Sequence, residues 1–167
     1  MQIRQIMSKP VLTCRPSDAL DTAARLMWEH DCGAVPVTGD DGKVVGVITD
    51  RDICMATYTK GRAPHDIAVG DAMAKRVFSC RADDAVEVAE TIMRERQVRR
   101  VPVVDRNNRP VGLISLNDLA RYAVSAPKKN GTEREIVETL AAVCRPRTGA
   151  IEVSRPAALQ KRASAPH

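Results

Sequence analysis

The strongest constraint on this chain is an internal duplication. Residues 7–56 align on residues 73–122 at a constant offset of 66 without a gap, and 17 of the 50 pairs are identical. They include Met7/Met73, Cys14/Cys80, Asp18/Asp84, Met27/Met93, Pro36/Pro102, Gly46/Gly112 and Asp52/Asp118. Two copies are too few for a solenoid, so the duplication implies two half-units that bury their apolar faces against each other about a pseudo-two-fold axis.

Each copy reads as strand, helix, strand, strand, helix. "VLTC" (Val11–Cys14) and "VFSC" (Val77–Cys80) have β composition, and "RPSD" and "RADD" offer Ser or Asp as helix N-caps. Ala19, Ala23, Leu26 and Met27 recur at helical spacing, as do Ala85, Ala89, Ile92 and Met93. Two strands follow in each copy, joined at Asp40-Asp41-Gly42 and at Asn107-Asn108, where the residue types tolerate positive φ. A second helix starts near Asp50 and near Leu116. The fold class is therefore α/β (α+β): two β-α-β-β-α units, residues 1–58 and 73–125, joined by a polar linker at 59–72. Residues 126–167 read as a C-terminal helix (Thr132–Arg145, with a Thr132/Glu135 capping box) and a flexible basic tail with a short "AIEV" strand.

Charge and composition narrow the function. The net charge is +5, but residues 1–126 hold 18 Lys/Arg against 17 Asp/Glu, so the basic excess sits in the tail. Aromatic residues are only 2% of the chain, too few for a surface that stacks bases, and nucleic acid is not the expected partner. Five cysteines and three histidines fall in no metal-ligand spacing, and neither a G-x-S-x-G motif nor a P-loop is present. No signal peptide and no membrane-length apolar run is visible, which points to a cytoplasmic chain with reduced thiols. Cys14, Cys80 and the matched methionines read as core, whereas Trp28, opposite Arg94 in the other copy, reads as a subunit contact or a surface residue.

The chemistry lies in a repeated phrase, "GVITDRD" (Gly46–Asp52) and "GLISLND" (Gly112–Asp118). Its glycine permits close approach at a strand end. Its hydroxyl (Thr49, Ser115) and aspartate (Asp52, Asp118) fall at a helix start, a natural seat for phosphate beside a carboxylate that can accept two ribose hydroxyls. The same pattern is also a plain helix cap, and both readings stand at this point.

With its "hP" step, hairpin and G-h-h-[S/T]-x-x-D phrase in two complete copies, the sequence resembles a tandem CBS-domain pair, or Bateman module, over residues 1–125. The resemblance implies a regulatory module, not an enzyme. Such a module needs no cofactor and takes AMP, ADP, ATP or another adenosyl compound such as S-adenosylmethionine as its ligand. It also implies a homodimer through the helices and an unidentified effector protein. By the same resemblance, the site closed by Asp118 draws on Lys9, Cys32, Gly33, Leu113, Ser115 and Asn117. The site closed by Asp52 draws on Val47, Thr49, Arg51, Lys75, Val98 and Arg99. Arg99 and Arg100 either contact phosphate or are solvated charges. The small Gly33 and the lack of a counterpart to Asp50 favour the Asp118 site as the tighter one. The alternatives are a dimerising scaffold with vestigial sites, and a nucleic-acid contact through the tail.

Overall fold

The computed structural model describes residues 1–125 and 132–145. The first unit contains α1 (Leu20–Glu29), β1 (Ala34–Thr38), β2 (Val44–Thr49) and α2 (Asp50–Lys60). The second contains β3 (Cys80–Arg81), α3 (Val86–Arg96), β4 (Arg100–Val104), β5 (Pro110–Ser115) and α4 (Leu116–Ser125), and α5 (Thr132–Val143) follows. Of the residues whose spacing predicts a helix face, Ala23 and Met27 in α1 and Ala89 and Met93 in α3 are buried. Ala19 and Ala85 precede the helices, Leu26 and Ile92 are half-buried, and Leu20 and Val86 are buried in addition.

Both hairpins are antiparallel with equivalent registers, Ala34 opposite Thr49 and Arg100 opposite Ser115, and each bulges at its far end. Gly42 (φ 75°) and Asn108 (φ 62°) supply the left-handed residue at equivalent turn positions, as the sequence predicts.

Two local expectations are corrected. "VLTC" and "VFSC" form almost no strand: Cys14 makes a single bridge to Val37, and β3 pairs only Cys80 and Arg81 with Val103 and Val104. These segments meet their five-residue partner strands only near the partners' C-terminal ends, so one or two residues come within ladder reach. Nor do Ser17, Asp18, Asp83 or Asp84 cap the first helices. α1 and α3 start after Ala19 and Ala85 without a side-chain cap, while Asp18 and Asp84 accept the N–H groups of Arg15 and Arg81 at 2.7 Å.

The two units exchange their leading segments. Ile3 is fully buried in the core of the second unit, where its N–H donates to the Asp84 carbonyl at 2.9 Å. The segment then runs beside β5, with Ser8 and Leu113 exchanging backbone hydrogen bonds of 2.8 and 3.1 Å. Its pseudo-symmetric partner does the converse. Val69 is fully buried in the first unit, its N–H on the Asp18 carbonyl at 2.8 Å, and Ala74 pairs with Val47 at 2.9 and 3.0 Å. Residues 59–72 thus contribute Ile67 and Val69 to a core, although their composition reads as a polar connection.

This exchange explains the repeated glycine. A Cβ on Gly112 would lie 2.6 Å from Met7 Sδ and 3.2 Å from the Ser8 carbonyl; on Gly46 it would strike Met73 Sδ and lie 3.1 Å from the Ala74 carbonyl. The close approach is to the crossing segment of the chain itself.

Helix α5 covers α3 and α4, adding Ile136 and Val143 to the second core. It also buries Glu90, whose carboxyl is pushed up to about 7 by loss of solvent and by the nearby charges of Glu135 on α5 and Glu87 on α3, against the opposing pull of Arg94. The Thr132 capping box, residues 126–131, the "AIEV" segment and the tail from 146 lie outside the described residues.

Truncating Ile3 to Ala is expected to cost about 2–5 kcal/mol in urea unfolding. Hydrogen exchange should accelerate first in α3 and β4, distant in sequence from residue 3; acceleration confined to the first unit would contradict the exchange of segments. Glu90 binds its proton more tightly folded than unfolded. Its contribution is therefore whole below about pH 4.5 and is lost as pH rises through about 7. Glu90→Gln should accordingly exceed wild type by roughly 1–3 kcal/mol at about pH 8, with little difference at about pH 4, measured as paired urea midpoints.

Candidate functional site: two aspartates at equivalent helix starts

Asp52 and Asp118 stand at the first turns of α2 and α4, each beside the leader that crosses from the other unit. The first turn of each helix is closed the same way. Thr49 Oγ1 donates to Asp52 Oδ2 at 2.6 Å, Thr49 N–H donates to the same oxygen at 3.0 Å, and Thr49 Oγ1 accepts the Asp52 N–H at 3.2 Å. In the second unit Ser115 and Asp118 repeat this at 2.6, 2.8 and 3.2 Å. The helix-cap reading of the phrase is therefore realised in both copies. Each hydroxyl hydrogen is spent on its aspartate, so neither hydroxyl is free to donate to phosphate as the sequence reading supposes. Each cap uses one carboxylate oxygen, Oδ2, and leaves Oδ1 for another partner.

The second oxygens differ. Asp118 Oδ1 accepts from Ser8 Oγ at 3.2 Å and pairs with the Arg121 guanidinium. The Asp118 side chain is only 2% exposed, that of Arg121 71%. Asp52 is half-buried, and among the described residues no donor is found on its Oδ1.

Backbone pairing groups the remaining candidates. The leaders run antiparallel to the second strands of the hairpins, so Lys9, after Ser8 and its partner Leu113, comes opposite Gly112, and Lys75, after Ala74 and its partner Val47, comes opposite Gly46. The Arg99 carbonyl accepts the Leu116 N–H at 3.0 Å, which ties Arg99 to the start of α4. The Gly33 carbonyl takes the Asp50 N–H at 3.4 Å, which ties Cys32 and Gly33 to the start of α2. By backbone, Arg99 and Gly33 thus each attach to the helix opposite the one the resemblance groups them with, because each directly precedes the hairpin that leads into its own helix. Arg100 of the second unit lies against Gly33 here. A Cβ on Gly33 would meet Arg100 Nη2 and Asp50 Oδ2 at 2.7 Å each. The space that Gly33 opens is thus filled by the guanidinium from the other unit, so it does not enlarge the Asp118 site. Lys9, Lys75, Arg51, Arg99 and Asn117 are exposed, whereas Cys32 and Val98 are half-buried.

Sequence reasoning missed Ser8 and Arg121. The signal was available in the alignment, since Ser8 faces Ala74 and Arg121 faces Met55.

Elsewhere, a shallow hollow of about 230 Å³ lies between Ser79, Arg81, Asp84, Asp105 and Asn108. Each of its carboxylates has one oxygen on neighbouring N–H groups, and burial pushes its Cys80 thiol up to about 12, so that thiol is not an activated nucleophile. Cys14, raised to about 11 by the same cause, is equally inert. No helix among the described residues is long and apolar enough to cross a membrane.

Comparison with known proteins places this geometry. The CBS domain model matches residues 3–58 and 69–125, so each match starts close to a leader that enters the other unit. Hypoxic response protein 1 of Mycobacterium tuberculosis is 34% identical over 143 residues, covering 86% of this chain and 94% of that protein. The CBS domain-containing protein YhcV of Bacillus subtilis is 36% identical over 118 residues, covering 71% and 82%. Among solved structures, the CBS domain pair of protein MJ0100 in complex with 5′-methylthioadenosine and S-adenosyl-L-methionine superimposes with a TM-score of 0.68. It is 27% identical and covers 74% of this chain and 96% of that one. Hypoxic Response Protein I with two coordinated zinc ions gives 0.66 at 34% identity, covering 76% and 100%. With both copies matched and their leaders exchanged, the chain belongs to the CBS domain family as a tandem pair.

Proposed function

We propose that this protein is a regulatory module that binds an adenosine ligand and passes the binding on to a partner protein, without turning the ligand over. The observation that carries this reading is the pair of aspartates at equivalent helix starts. Each has one carboxylate oxygen outside its cap, and the crossing leader brings a basic residue (Lys9 or Lys75) opposite the strand that leads into the same helix. A carboxylate oxygen suits a ribose diol, and the lysines and Arg100 suit a phosphate or carboxylate on the same ligand. The MJ0100 pair, similar over its whole length, is solved with two adenosyl compounds, which supports the ligand class. AMP, ADP, ATP and S-adenosylmethionine all meet these requirements. The candidate residues remain those grouped above around Asp52 and Asp118, and a cytoplasmic location suits the free thiols.

We also propose a homodimer formed through the first unit. Trp28 on α1 is 88% exposed and Tyr58 on α2 is 65% exposed, and Met55, three residues before Tyr58 on α2, is also exposed. On the second unit α5 of the same chain already covers α3 and α4, so the faces of α1 and α2 are the ones left to pair.

A thermal-unfolding screen against AMP, ADP, ATP, S-adenosylmethionine and GTP tests the ligand class. An adenosine ligand at about a hundred times its Kd should add about 2.7 kcal/mol, a rise of several degrees in Tm. Flat curves throughout would instead leave both aspartates as helix caps and favour a dimerising scaffold. Light scattering should give twice the chain mass at tens of micromolar, falling to the monomer in a Trp28→Asp/Tyr58→Asp double variant. A monomeric wild type would refute the dimer.

A further inference from the structure

We propose that the two sites are unequal and that Asp52 is the carboxylate that takes the ligand's diol, while Ser8 and Arg121 hold Asp118 closed. The inference rests on the adenosine reading above and reverses the preference for Asp118 that the sequence suggests.

The argument begins with what each carboxylate still has to give. After the cap has used Oδ2, a diol needs Oδ1. At Asp118 that oxygen already holds Ser8 Oγ at 3.2 Å and the Arg121 guanidinium, and the side chain is 2% exposed. A ligand entering there must displace a hydroxyl and a charge-assisted bond, and would leave a buried carboxylate facing only neutral donors. At Asp52 the residue in the place of Ser8 is Ala74, which has no donor beyond its backbone, and the residue in the place of Arg121 is Met55. The Asp52 side chain is half-buried, so the diol finds an accessible oxygen that lacks a donor among the described residues.

The surroundings point the same way. Lys75 follows the Ala74–Val47 pairing, and the Arg100 guanidinium of the second unit lies against Gly33, whose carbonyl accepts the Asp50 N–H at the start of α2. Lys75 and Arg100, both cations of the second unit, thus come to the first unit on the side of α2. Ser8 and Arg121 are therefore specificity-determining residues, acting by occupying one of two otherwise equivalent carboxylates. Because 71% of the Arg121 side chain is exposed, the closure can be undone by substitution without opening the core.

Isothermal titration with AMP, and in parallel with S-adenosylmethionine, tests this on the full chain. Wild type is expected to bind one ligand per chain. Asp52→Ala should weaken binding at least about tenfold, and Asp118→Ala should leave it within about threefold. Two double variants leave both aspartates and their caps intact. Ser8→Ala/Arg121→Met should raise the stoichiometry from one to two. Ala74→Ser/Met55→Arg, which transfers the closure to the first unit, should weaken the wild-type site by about tenfold. The inference is overturned if Asp118→Ala abolishes binding while Asp52→Ala spares it, or if neither double variant changes binding. Should no variant bind either ligand, the adenosine reading itself falls and this inference falls with it.

Discussion

The fold depends on the burial of two aliphatic side chains far from the units they complete. Ile3 closes the core of the second unit and Val69 closes that of the first, each held by an N–H bond to the carbonyl of an equivalent aspartate. Neither unit has a whole core without its neighbour's leader, so the two cannot separate without exposing both cores. The exchange also dictates local chemistry. Gly46 and Gly112 lack a side chain because Met73 and Met7 need the space, and the crossing backbones bring Lys75 and Lys9 opposite the strands that lead into α2 and α4.

On the proposed reading, each aspartate serves structure and recognition together. A carboxylate has two oxygens, and a capping box consumes one of them. The cap is a condition of the site, because it fixes the carboxylate's orientation before any ligand arrives. What the second oxygen does is decided by residues outside the repeated phrase. The two carboxylates are equivalent in their caps, and Ser8 and Arg121, at positions where the copies differ, engage the second oxygen of Asp118.

Divergence also broke the symmetry of the outer faces. In the second unit α5 lies over α3 and α4 and buries Glu90, where the first unit has Ala24 at the equivalent position. A carboxyl group placed under a helix that brings Glu135 toward it gives up its charge near neutrality. The buried Thr139 hydroxyl, without a partner among the described residues, adds a second unfavourable term to the same interface. Helix α5 is therefore held by Ile136, Leu140 and Val143 against polar groups that oppose it.

The sequence by itself determined the repeat, the order of elements, the helix faces and the positive-φ turn residues, because periodicity and turn chemistry are local properties of the chain. It located both aspartates, since a hydroxyl three residues before an acid at a helix start is a pattern of spacing. The tertiary structure alone decided the rest. "VLTC" and "VFSC" have β composition but little partner strand to pair with, and residues 59–72 look polar although Ile67 and Val69 are core. The distinction between Asp52 and Asp118 was equally hidden. It depends on Ser8, 110 positions away in sequence from the carboxylate it binds, and such a contact exists only once the leaders have crossed.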